Sequence, residues 1–482
     1  MARHHRRNFL KRAVAGTAGA VAASWVLSGT KSSGRVLGAN DRVRVAIAGI
    51  NGRGQGHIQA YGEMKDVEIA WLVDPDSRLF ESRSAKVKAL AGNTPQCVQD
   101  FRRVLDDKSL DAVSIVTPNH WHALMAIWAC QAGKDVHLEK PCSHEIVEGR
   151  RVVEAARKYD RIVQHGTQRR SDPRWIMLTN DVRNGKYGKL RVAYAYATRP
   201  RTSIGIRPPE EPPKELDYNL WMGPSPLHPF RTNLVHYEWH WIWDYGNGEI
   251  GNLAAHQLDV ARWAMPDGAS PQSVISLGGR FGYEDQGQTP NTQLTIIDLG
   301  LAKIFCEQRG LVDRKQAKVT VEFHTDDGVI KEGKFFRKGQ PEGEPIEGAS
   351  AGGFADLGRA HFRNFIDCVR SRKREELHGE ILEGHRSVIL AHLGNISYRL
   401  GQDTPFNRQT KAFGDDRLAY ESFEGLKQHL ADVAHLELNT ATYRLGRTLR
   451  FDAQTERFIG DPEADRMLSR PYREPFVVPE QV

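Results

Sequence analysis

The chain has 482 residues, 40% of them hydrophobic and 26% charged, which is the composition of a soluble folded protein with more than one domain. Its net charge of +7 would suit an acidic partner, but the first 40 residues alone hold seven lysines and arginines and no acid. The remainder is therefore neutral overall, which argues against nucleic acid and against an anionic membrane surface as partners.

The first 39 residues have the pattern of an export signal. Residues 6–11 read RRNFLK, a twin-arginine motif, and a modestly apolar run at 13–27 and a small-residue site near 37–39 follow it. We therefore expect residues 1–39 to be a twin-arginine signal peptide and the protein to be exported to the periplasm. The apolar run is short and rich in Gly and Ala, so an uncleaved membrane anchor is the weaker interpretation.

Residues 40–168 alternate apolar strands with amphipathic helices, which is the βαβ pattern of a doubly wound parallel sheet. The predicted strands are Val43–Ala48, Val67–Val73, Asp111–Val116, Asp135–Leu138 and Arg161–Gln164. The predicted helices are Gly56–Met64, Ser77–Ala91, His122–Ala132 and His144–Tyr159. We predict an α/β fold that begins with a Rossmann domain.

Residues 169–400 cluster their strands with few helices between them, which predicts an α+β domain with a large, mostly antiparallel open sheet. The predicted strands are Lys189–Thr198, Ser273–Gly282, Thr292–Leu299, Leu301–Gln308 and Lys318–His324. The predicted helices are Pro173–Asn184, Ala360–Ser371 and Gly384–Leu400. Residues 401–482 are charged and poor in long apolar runs, so we interpret them as a C-terminal extension, either a wrapping tail or a partner arm.

The cysteines and histidines do not indicate a metal site. The five cysteines are odd in number and scattered, and no C-x-x-C pair predicts a zinc site or a disulfide framework; most should be small buried hydrophobic residues. The His-x-His sequence at 120–122 lies where a loop meets a helix, without nearby carboxylates, so no metal is predicted there either.

Residues 49–54 read GINGRG between a predicted strand and a predicted helix, the context in which a glycine fingerprint is meaningful. Glycines there permit a tight turn and bring backbone N–H groups to a pyrophosphate at the helix N-terminus. The usual G-x-G-x-x-G spacing is broken by Asn51, which tolerates a left-handed backbone. The predicted cofactor contacts in this turn are Gly49, Asn51, Gly52, Arg53 and Gly54.

Asp74 follows the strand Val67–Val73, at the position where an acid holds the ribose 2′-OH of a dinucleotide. A carboxylate there repels a 2′-phosphate, so it favours NAD as the cofactor, with NADP as the alternative. A structural turn with an incidental aspartate is the competing interpretation.

Two more segments end strands at the same predicted sheet edge, where open α/β sheets bind ligands. Residues 117–122 read TPNHWH and can line the nicotinamide half of a dinucleotide site. Residues 139–141 read EKP, and a lysine there can be partly desolvated beside a cofactor, which draws its pKa towards neutrality. An ordinary surface lysine before a proline turn is the alternative. The further predicted cofactor contacts are Thr117, Pro118, Asn119, His122, Glu139, Lys140 and Gln168.

A polar cluster in the second half of the chain has the residues of an acid–base site. Asn252 and His256 are four residues apart on one face of a predicted helix, with Asp259 on nearly the same face. A histidine is the natural general acid or base, unless His256 is merely structural, and the asparagine amide can orient it or bind a substrate hydroxyl. Residues 239–243 read WHWIW, which supplies aromatic faces for a sugar ring or forms a buried aromatic strand. The predicted substrate contacts are Asn252, His240 and Arg169.

The glycine turn, TPNH, EKP and the Asn252…His256 helix, in this order, resemble the Gfo/Idh/MocA oxidoreductases over residues 41–400. The resemblance implies a bound nicotinamide cofactor, a sugar, polyol or glycoside substrate, and a homo-oligomer formed through the open sheet. By position, Lys140 matches the family's catalytic lysine and His256 its catalytic histidine. Asn252 stands where many members have Asp, which removes a carboxylate from the site. The segment after residue 400 lies outside the general family pattern and looks like an extension of exported members.

The resemblance therefore implies an NAD(P)-dependent oxidoreductase that interconverts a hydroxyl and a ketone on a carbohydrate, with His256 moving the hydroxyl proton and Lys140 polarising the oxygen. Two alternatives stay open. One is a glycoside hydrolase or lyase that oxidises a ring hydroxyl transiently and then eliminates the aglycone. The other is a non-catalytic sugar sensor on the same fold.

Overall fold

The computed structural model describes residues 42–347 and 354–482. The predicted signal peptide, residues 1–39, lies outside the described residues. Within them, no helix has the length and apolar character needed to cross a bilayer.

The N-terminal domain is built on a six-stranded, fully parallel sheet with the order β3-β2-β1-β4-β5-β6. Its strands are β1 (Val43–Ala48), β2 (Val67–Val73), β3 (Gln96–Val98), β4 (Ala112–Ile115), β5 (Asp135–Leu138) and β6 (Val163–His165). The predicted Rossmann sheet is therefore confirmed. Only β3 has no predicted counterpart, because three residues reading QCV carry too short a pattern to be recognised as a strand.

Helices cover both faces of this sheet. They are Gly54–Gly62, Phe80–Ala91, Arg102–Leu105, Asn119–Gln131 and Ile146–Lys158. Every residue of Asn119–Gln131 is buried, since one side packs on the sheet and Ile146–Lys158 packs against the other. The strand order reverses between β1 and β4, which places the ligand-binding crevice of this fold beyond their carboxyl ends.

The second sheet has twelve strands, and its main path is β14-β13-β12-β11-β7-β10-β9-β8-β16-β15. All its pairs are antiparallel except β7 with β10. The strands are β7 (Leu190–Thr198), β8 (Ser273–Gly279), β9 (Thr292–Asp298), β10 (Lys303–Arg309), β11 (Lys318–Thr325), β12 (Gly328–Lys331), β13 (Lys334–Arg337), β14 (Glu344–Pro345), β15 (Gln402–Pro405), β16 (Thr442–Leu445), β17 (Leu449–Asp452) and β18 (Arg457–Phe458). The predicted large, mostly antiparallel sheet is confirmed.

Most helices outside the Rossmann domain pack on one of the two faces of this sheet, but Phe354–Ser371 packs in the Rossmann core and Tyr218–Met222 in a separate aromatic cluster. The helices outside the Rossmann domain are Pro173–Arg183, Tyr218–Met222, Gly248–Asn252, Ala254–Trp263, Phe354–Ser371, Ile381–Arg399, Arg417–Asp432 and Pro462–Arg466. Leu178, Leu258 and Leu390 represent the helices that bury one face together with inward residues of the strands. On the opposite face, Phe423 and Leu426 of Arg417–Asp432 pack against outward residues such as Tyr194.

The residues after 400 are an integral part of the fold. They add β15, β16 and β17 to the large sheet and supply the helix that covers its outer face. The last residues then return to the Rossmann domain, where Phe476 lies 5.2 Å from Trp121 between ring centroids. Of the two interpretations of this segment, the wrapping tail is the one the structure supports, and the alternating pattern of its strands is too short to be recognised from the sequence.

All five cysteines are unpaired, and four of them are buried, as expected for small hydrophobic residues. No group of His, Cys, Asp and Glu side chains with metal-binding geometry exists within residues 42–347 and 354–482.

Candidate active site

A cleft of about 1210 Å³ lies between the carboxyl edge of the parallel sheet and the second domain. Pockets for one drug-sized ligand measure roughly 300–1,000 Å³, so this cleft has room for a dinucleotide and a second molecule. The predicted site residues that line it are Gly49, Asn51, Gly52, Arg53, Asp74, Thr117, Pro118, Asn119, His122, Glu139, Lys140, Gln168, His240, Asn252 and His256. Gly54 and Arg169 are not in the lining.

The glycine turn has a geometry that only glycine permits at two positions. Gly49 has φ +83°, and a Cβ there would lie 2.6 Å from the carbonyl oxygen of Val116. Gly54 opens the helix Gly54–Gly62, and its Cβ would collide with the carbonyl oxygen of Gly49. Gly54 therefore shapes the turn from behind rather than facing the cleft. Gly52 has φ +34° and open space where a Cβ would point.

The backbone of this turn fits an anionic group. The N–H groups of Asn51, Gly52 and Arg53 donate to no other atom of the described residues, and all three residues line the cleft. Free N–H groups ahead of a helix N-terminus are the usual cradle for a pyrophosphate. The turn therefore presents free N–H groups to a pyrophosphate even though Asn51 stands where the usual spacing has glycine.

Asp74 ties the turn to the end of β2. Its carboxylate accepts hydrogen bonds from the backbone N–H groups of Ile50 (3.0 Å) and Asp76 (3.0 Å) while it lines the cleft. Burial raises the pKa of Asp74, against the lowering effect of those two N–H groups. A carboxylate at this position suits the ribose contact predicted for it.

A narrow apolar pocket adjoins the cleft and shares Gly49, Thr117 and Trp221 with it. Its other walls are mainly apolar and include Phe101 and Trp128. Apolar walls of this kind can pack against the face of an aromatic base at the edge of the cleft. The open turn, the ribose carboxylate and this pocket together fit the parts of NAD.

Glu139 is the hub of the polar network behind the cleft. Its buried carboxylate accepts hydrogen bonds from Arg53 Nε (2.9 Å) and Gln168 Nε2 (3.2 Å), and from the Lys140 backbone N–H (3.1 Å), while His57 Nε2 lies 3.0 Å away. Burial alone would raise the pKa of Glu139, but Arg53, His57 and Lys140 hold it well below its usual range. The carboxylate therefore stays ionised and fixes the backbone from which Lys140 projects.

Lys140 is anchored on Asn252. Its Nζ donates to the backbone oxygen of Asn252 (3.0 Å) and to its side-chain oxygen (2.9 Å). Burial is the largest cause that lowers the pKa of Lys140, and Arg53 adds to it, while Glu139 opposes it. Because an ammonium has no acceptor, the Asn252 amide must turn its oxygen to Lys140, which leaves its NH₂ group for a ligand.

The predicted helix that carries Asn252 and His256 is two helices in the structure. Gly248–Asn252 ends at Asn252 and Ala254–Trp263 begins two residues later. The Asn252 carbonyl oxygen accepts from Lys140, and the His256 N–H donates to Leu253 instead (3.3 Å). The lysine thus takes the acceptor that a continuous helix would use, and both side chains still line the cleft.

His256 is a partly exposed imidazole in the cleft wall and forms no hydrogen bond with the described residues. Burial holds its pKa well below the ordinary value of 6.5, and the positive charges of Lys140 and Arg169 lower it further. The ring is therefore neutral near pH 7 and able to accept a proton. Asp259 does not orient it, because that carboxylate is paired with Arg170 (2.8 Å) and with Ser387 (2.7 Å).

His240 presents one neutral ring nitrogen to the cleft. Its Nδ1 donates to the carbonyl oxygen of Tyr237 (2.6 Å), and its ring stacks on Trp239 at 3.6 Å between centroids. Burial lowers the pKa of His240 to about 3, so Nε2 is an acceptor near neutral pH. Of the WHWIW tryptophans, only Trp239 reaches the cleft; Trp241 is buried.

The remaining predicted contacts divide between the lining and its support. His122 links two strand ends, because its ring nitrogens face the carbonyl oxygens of Thr117 (2.7 Å) and Pro141 (2.6 Å). Arg169 is buried behind the wall, with its guanidinium 5.2 Å from the ring centroid of Trp175. Burial lowers the pKa of Arg169 to about 10, and its charge acts on His256. Its position does not support the predicted direct contact with a substrate.

Several lining residues have no counterpart in the sequence analysis. They come from the segment after β7, from the loop before the WHWIW sequence and from the turn before β11: Arg199, Arg201, His236, Tyr237 and Arg314. Arg201 is held by Glu249 through two bonds of 3.0 and 2.7 Å. No spacing rule connects these residues, because tertiary contacts alone bring their segments together. Two arginines within three residues at 199–201 were the only available signal.

Comparison with known proteins agrees with this architecture. The Gfo/Idh/MocA model described as "Oxidoreductase family, NAD-binding Rossmann fold" matches residues 43–167. The model of the same family described as "Oxidoreductase family, C-terminal alpha/beta domain" matches residues 202–284 and 423–478. The second match corrects the prediction that the family pattern ends near residue 400, since its last part lies in the C-terminal segment.

Individual relatives are more distant. A glycosyl hydrolase family 109 protein of Shewanella baltica is 29% identical over 221 residues, which is 40% of this chain and 47% of that protein. An α-N-acetylgalactosaminidase of Shewanella oneidensis is 27% identical with the same coverage, so the chain spans about half the length of the curated relatives it matches. The crystal structure of the WlbA dehydrogenase from Bordetella pertussis with NADH and UDP-GlcNAcA has a TM-score of 0.54 and 17% identity, over 73% of this chain and 95% of that one. This likeness shows a shared fold.

Proposed function

Since the chain belongs to the Gfo/Idh/MocA family of NAD-binding oxidoreductases, we propose that it interconverts a hydroxyl and a ketone on a sugar, polyol or glycoside. The observation that carries the proposal is the arrangement of Lys140, Asn252 and His256 in one cleft beside the NAD-binding turn. A neutral imidazole can take a hydroxyl proton, an ammonium can stabilise the charge that develops on the oxygen, and an amide NH₂ group can hold a neighbouring hydroxyl.

NAD, when bound, supplies the hydride acceptor, and the protein sets its position and the surrounding field. The residues that would hold it are the N–H groups of residues 51–53, the Asp74 carboxylate and the apolar pocket beside Thr117. Asp74 favours NAD over NADP because a carboxylate repels a 2′-phosphate.

In the direction of oxidation, His256 takes the proton of the substrate hydroxyl. Its lowered pKa keeps the imidazole in the accepting form at neutral pH. Lys140 faces the same oxygen and stabilises the negative charge that develops when the proton leaves. Asn252 holds the ammonium in place through two hydrogen bonds and turns its NH₂ group towards the ligand. His240 accepts a hydrogen bond from a neighbouring hydroxyl.

A second candidate function is glycoside cleavage by transient oxidation. Relatives named as a family 109 glycosyl hydrolase and an α-N-acetylgalactosaminidase favour it. Oxidation of a ring hydroxyl acidifies the neighbouring C–H, and loss of that proton and of the aglycone leaves a double bond conjugated to the ketone. Water adds across this double bond, and reduction of the ketone then restores the cofactor. The same lysine and histidine would serve both outcomes, so the arrangement in the cleft favours neither over the other.

We further propose that the protein acts in the periplasm after twin-arginine export, as a homo-oligomer. The RRNFLK sequence supports the first point, and membership of the family supports the second. An enzyme exported with its cofactor installed would gain from a reaction that regenerates the cofactor, which makes the cleavage reaction the natural alternative there.

One experiment separates the two functions. The protein is purified with its bound nucleotide and incubated with a panel of free sugars and glycosides, and both NADH absorbance and product masses are followed. A dehydrogenase forms NADH in step with a product two hydrogens lighter; a transient oxidant releases the aglycone with no net NADH. If a broad panel gives no NADH and no released aglycone while a ligand still binds, the non-catalytic sugar sensor is the remaining interpretation.

A further inference from the structure

The mouth of the cleft carries two positively charged side chains that have no role in the proposed mechanism. Arg199 and Arg314 both line the cleft, and both side chains are exposed. Neither forms an ion pair or a side-chain hydrogen bond with any residue in the described part of the chain. Two unneutralised guanidinium groups at the entrance of one cavity attract anions, and the low-dielectric walls of a cleft strengthen that attraction.

The pairing of two strands places both arginines at the same end of the large sheet. Strands β7 and β11 pair antiparallel, with Lys318 opposite Thr198. Arg199 directly follows Thr198, and Arg314 comes four residues before Lys318, in the turn Arg314–Gln316. The pairing therefore brings both arginines to the same end of the same two strands, at the substrate side of the cleft.

No carboxylate of residues 42–347 and 358–482 forms an ion pair with Arg199 or Arg314. Within the described chain, the only acids that line the cleft are Asp74 and Glu139, which belong to the Rossmann domain and already accept hydrogen bonds there. Asp313 precedes Arg314, and its Oδ1 accepts from the N–H groups of Lys315 (2.7 Å) and Gln316 (3.0 Å) without an ion pair to the Arg314 guanidinium.

A third arginine shows what neutralisation looks like in the same place. Arg201 is held by both oxygens of the buried Glu249 and packs over Trp241 at 5.3 Å from the ring centroid. The charge of Arg201 is therefore neutralised by Glu249, and its side chain forms part of the cleft wall. Arginines of this cleft are thus not left unpaired as a rule; Arg199 and Arg314, at the mouth, differ from Arg201 in having no acidic partner among the described residues.

We propose that the carbohydrate substrate carries an anionic group, a carboxylate, sulfate or phosphate, which Arg199 and Arg314 bind while its reacting hydroxyl faces Lys140 and His256. Guanidinium forks bind the oxygens of all three groups bidentately, which orients the ligand as well as attracting it. The exposed ring of Tyr237 and the stacked Trp239 lie in the same lining and offer apolar faces for the sugar body. This inference rests on the proposed function for the reacting end of the substrate only.

The test uses the full protein loaded with NAD and matched pairs of ligands. The pairs are glucose with glucuronate, galactose with galacturonate, and N-acetylglucosamine with its 6-sulfate and 6-phosphate, measured by calorimetry and by turnover. At least one acidic member should bind about tenfold or more tightly than its neutral counterpart, and the preference should shrink as salt is added. The member that wins identifies the anion.

Replacing both arginines, Arg199→Gln with Arg314→Gln, should abolish that preference while the NAD content and the affinity for the neutral sugar stay unchanged. Arg374→Gln is the matched control, since this arginine is exposed and lies outside the cleft lining. An equal or better affinity for neutral sugars in the unaltered protein would overturn the inference. So would an acidic preference that survives the double variant, or a loss of NAD from that variant.

The result also separates this inference from the proposed function. Tight, arginine-dependent binding of an acidic sugar without any oxidation or cleavage would uphold the anion subsite and contradict the enzyme activity. Turnover of neutral sugars that depends on Lys140, with no gain from an acidic group, would do the reverse.

Discussion

The two sides of the cleft are built in different ways. On the Rossmann side, the ligand faces backbone groups and side chains at the ends of consecutive parallel strands, such as Asp74 after β2 and Lys140 after β5. On the other side, the lining comes from loops far apart in the chain, including residues 199–202, 236–240 and 314–319. A sheet edge imposes regular spacing on its ligand contacts, whereas loops are placed by packing alone. The sequence therefore predicts which cofactor the cleft binds, but it does not predict which substrate the cleft binds.

The largest expected effect tests whether the two sides are separable in function. Lys140→Ala removes the charge that stabilises the developing alkoxide, and we expect turnover to fall about 10³-fold. NAD should remain bound, because the turn at residues 51–53 and Asp74 are untouched. Turnover and the nucleotide content of the purified protein are the measurements, with the exposed Lys108→Ala as control. Normal turnover would remove Lys140 from the mechanism.

The second prediction tests whether the Rossmann side of the cleft is independent of the rest of the chain, because a residue near the C-terminus supports that side. Phe476 is buried against Trp121, which lines the apolar pocket. Phe476→Ala should lower the free energy of unfolding by about 3 kcal/mol and weaken NAD binding as well. Chemical denaturation and NAD titration measure the two effects. The neighbouring Val477 is 36% exposed, so Val477→Ala should change little, and equal effects of the two would show that the tail is not packed as described.

The third prediction concerns NAD binding, which the first prediction expects to be unchanged. Gly49→Ala forces a side chain against the Val116 carbonyl at a φ of +83°, and we expect NAD affinity to fall about 30-fold. Gly92→Ala is the control, because Gly92 has φ +77° but open space around the new methyl group. Calorimetric titration with NAD compares them. Equal losses would mean that backbone strain, and not the close approach to Val116, is responsible.

The fourth and smallest effect concerns the pH profile, in which both sides contribute one group. As pH falls, His256 takes up a proton only below 6.5, since its pKa is lowered by burial and by Lys140. As pH rises, Lys140 loses its proton below 10.5, since burial lowers its pKa. The kcat/KM for oxidation should therefore fall about tenfold per pH unit on each limb, with the acid limb below pH 6.5. An acid limb above that value would assign it to another group.

Much of the Rossmann side could be predicted because its signals are local. The bounds of β1, β2 and β5 agree with the predicted strands, since buried parallel strands read as continuous apolar runs. Glycine at 49 and aspartate at 74 have positions fixed by the turn and by the strand end. The strand β3 was missed because three residues carry no period.

The rest depends on contacts that no local pattern contains. Asn252 ends its helix because Lys140, from a distant strand, takes its carbonyl oxygen. Arg169 and Gln168 are neighbours in sequence, yet only Gln168 reaches the cleft, while Arg169 packs over Trp175. Arg199 and Arg314 come to the same end of the sheet through the pairing of β7 with β11. Each outcome follows from tertiary structure, and the sequence could offer the residue types without their arrangement.

The central claim is that hydride leaves a carbohydrate carbon in a step that needs Lys140. The most direct measurement uses sugars and glycosides that carry deuterium at the ring carbons, incubated with the NAD-loaded protein, and determines the mass of the cofactor afterwards. A dehydrogenase leaves deuterium in the cofactor, whereas transient oxidation returns the deuterium to the product and is detected as slower turnover of the deuterated than of the undeuterated substrate. Neither effect should occur with Lys140→Ala. Substrate turnover that neither places deuterium in the cofactor nor slows with the deuterated substrate would contradict the account.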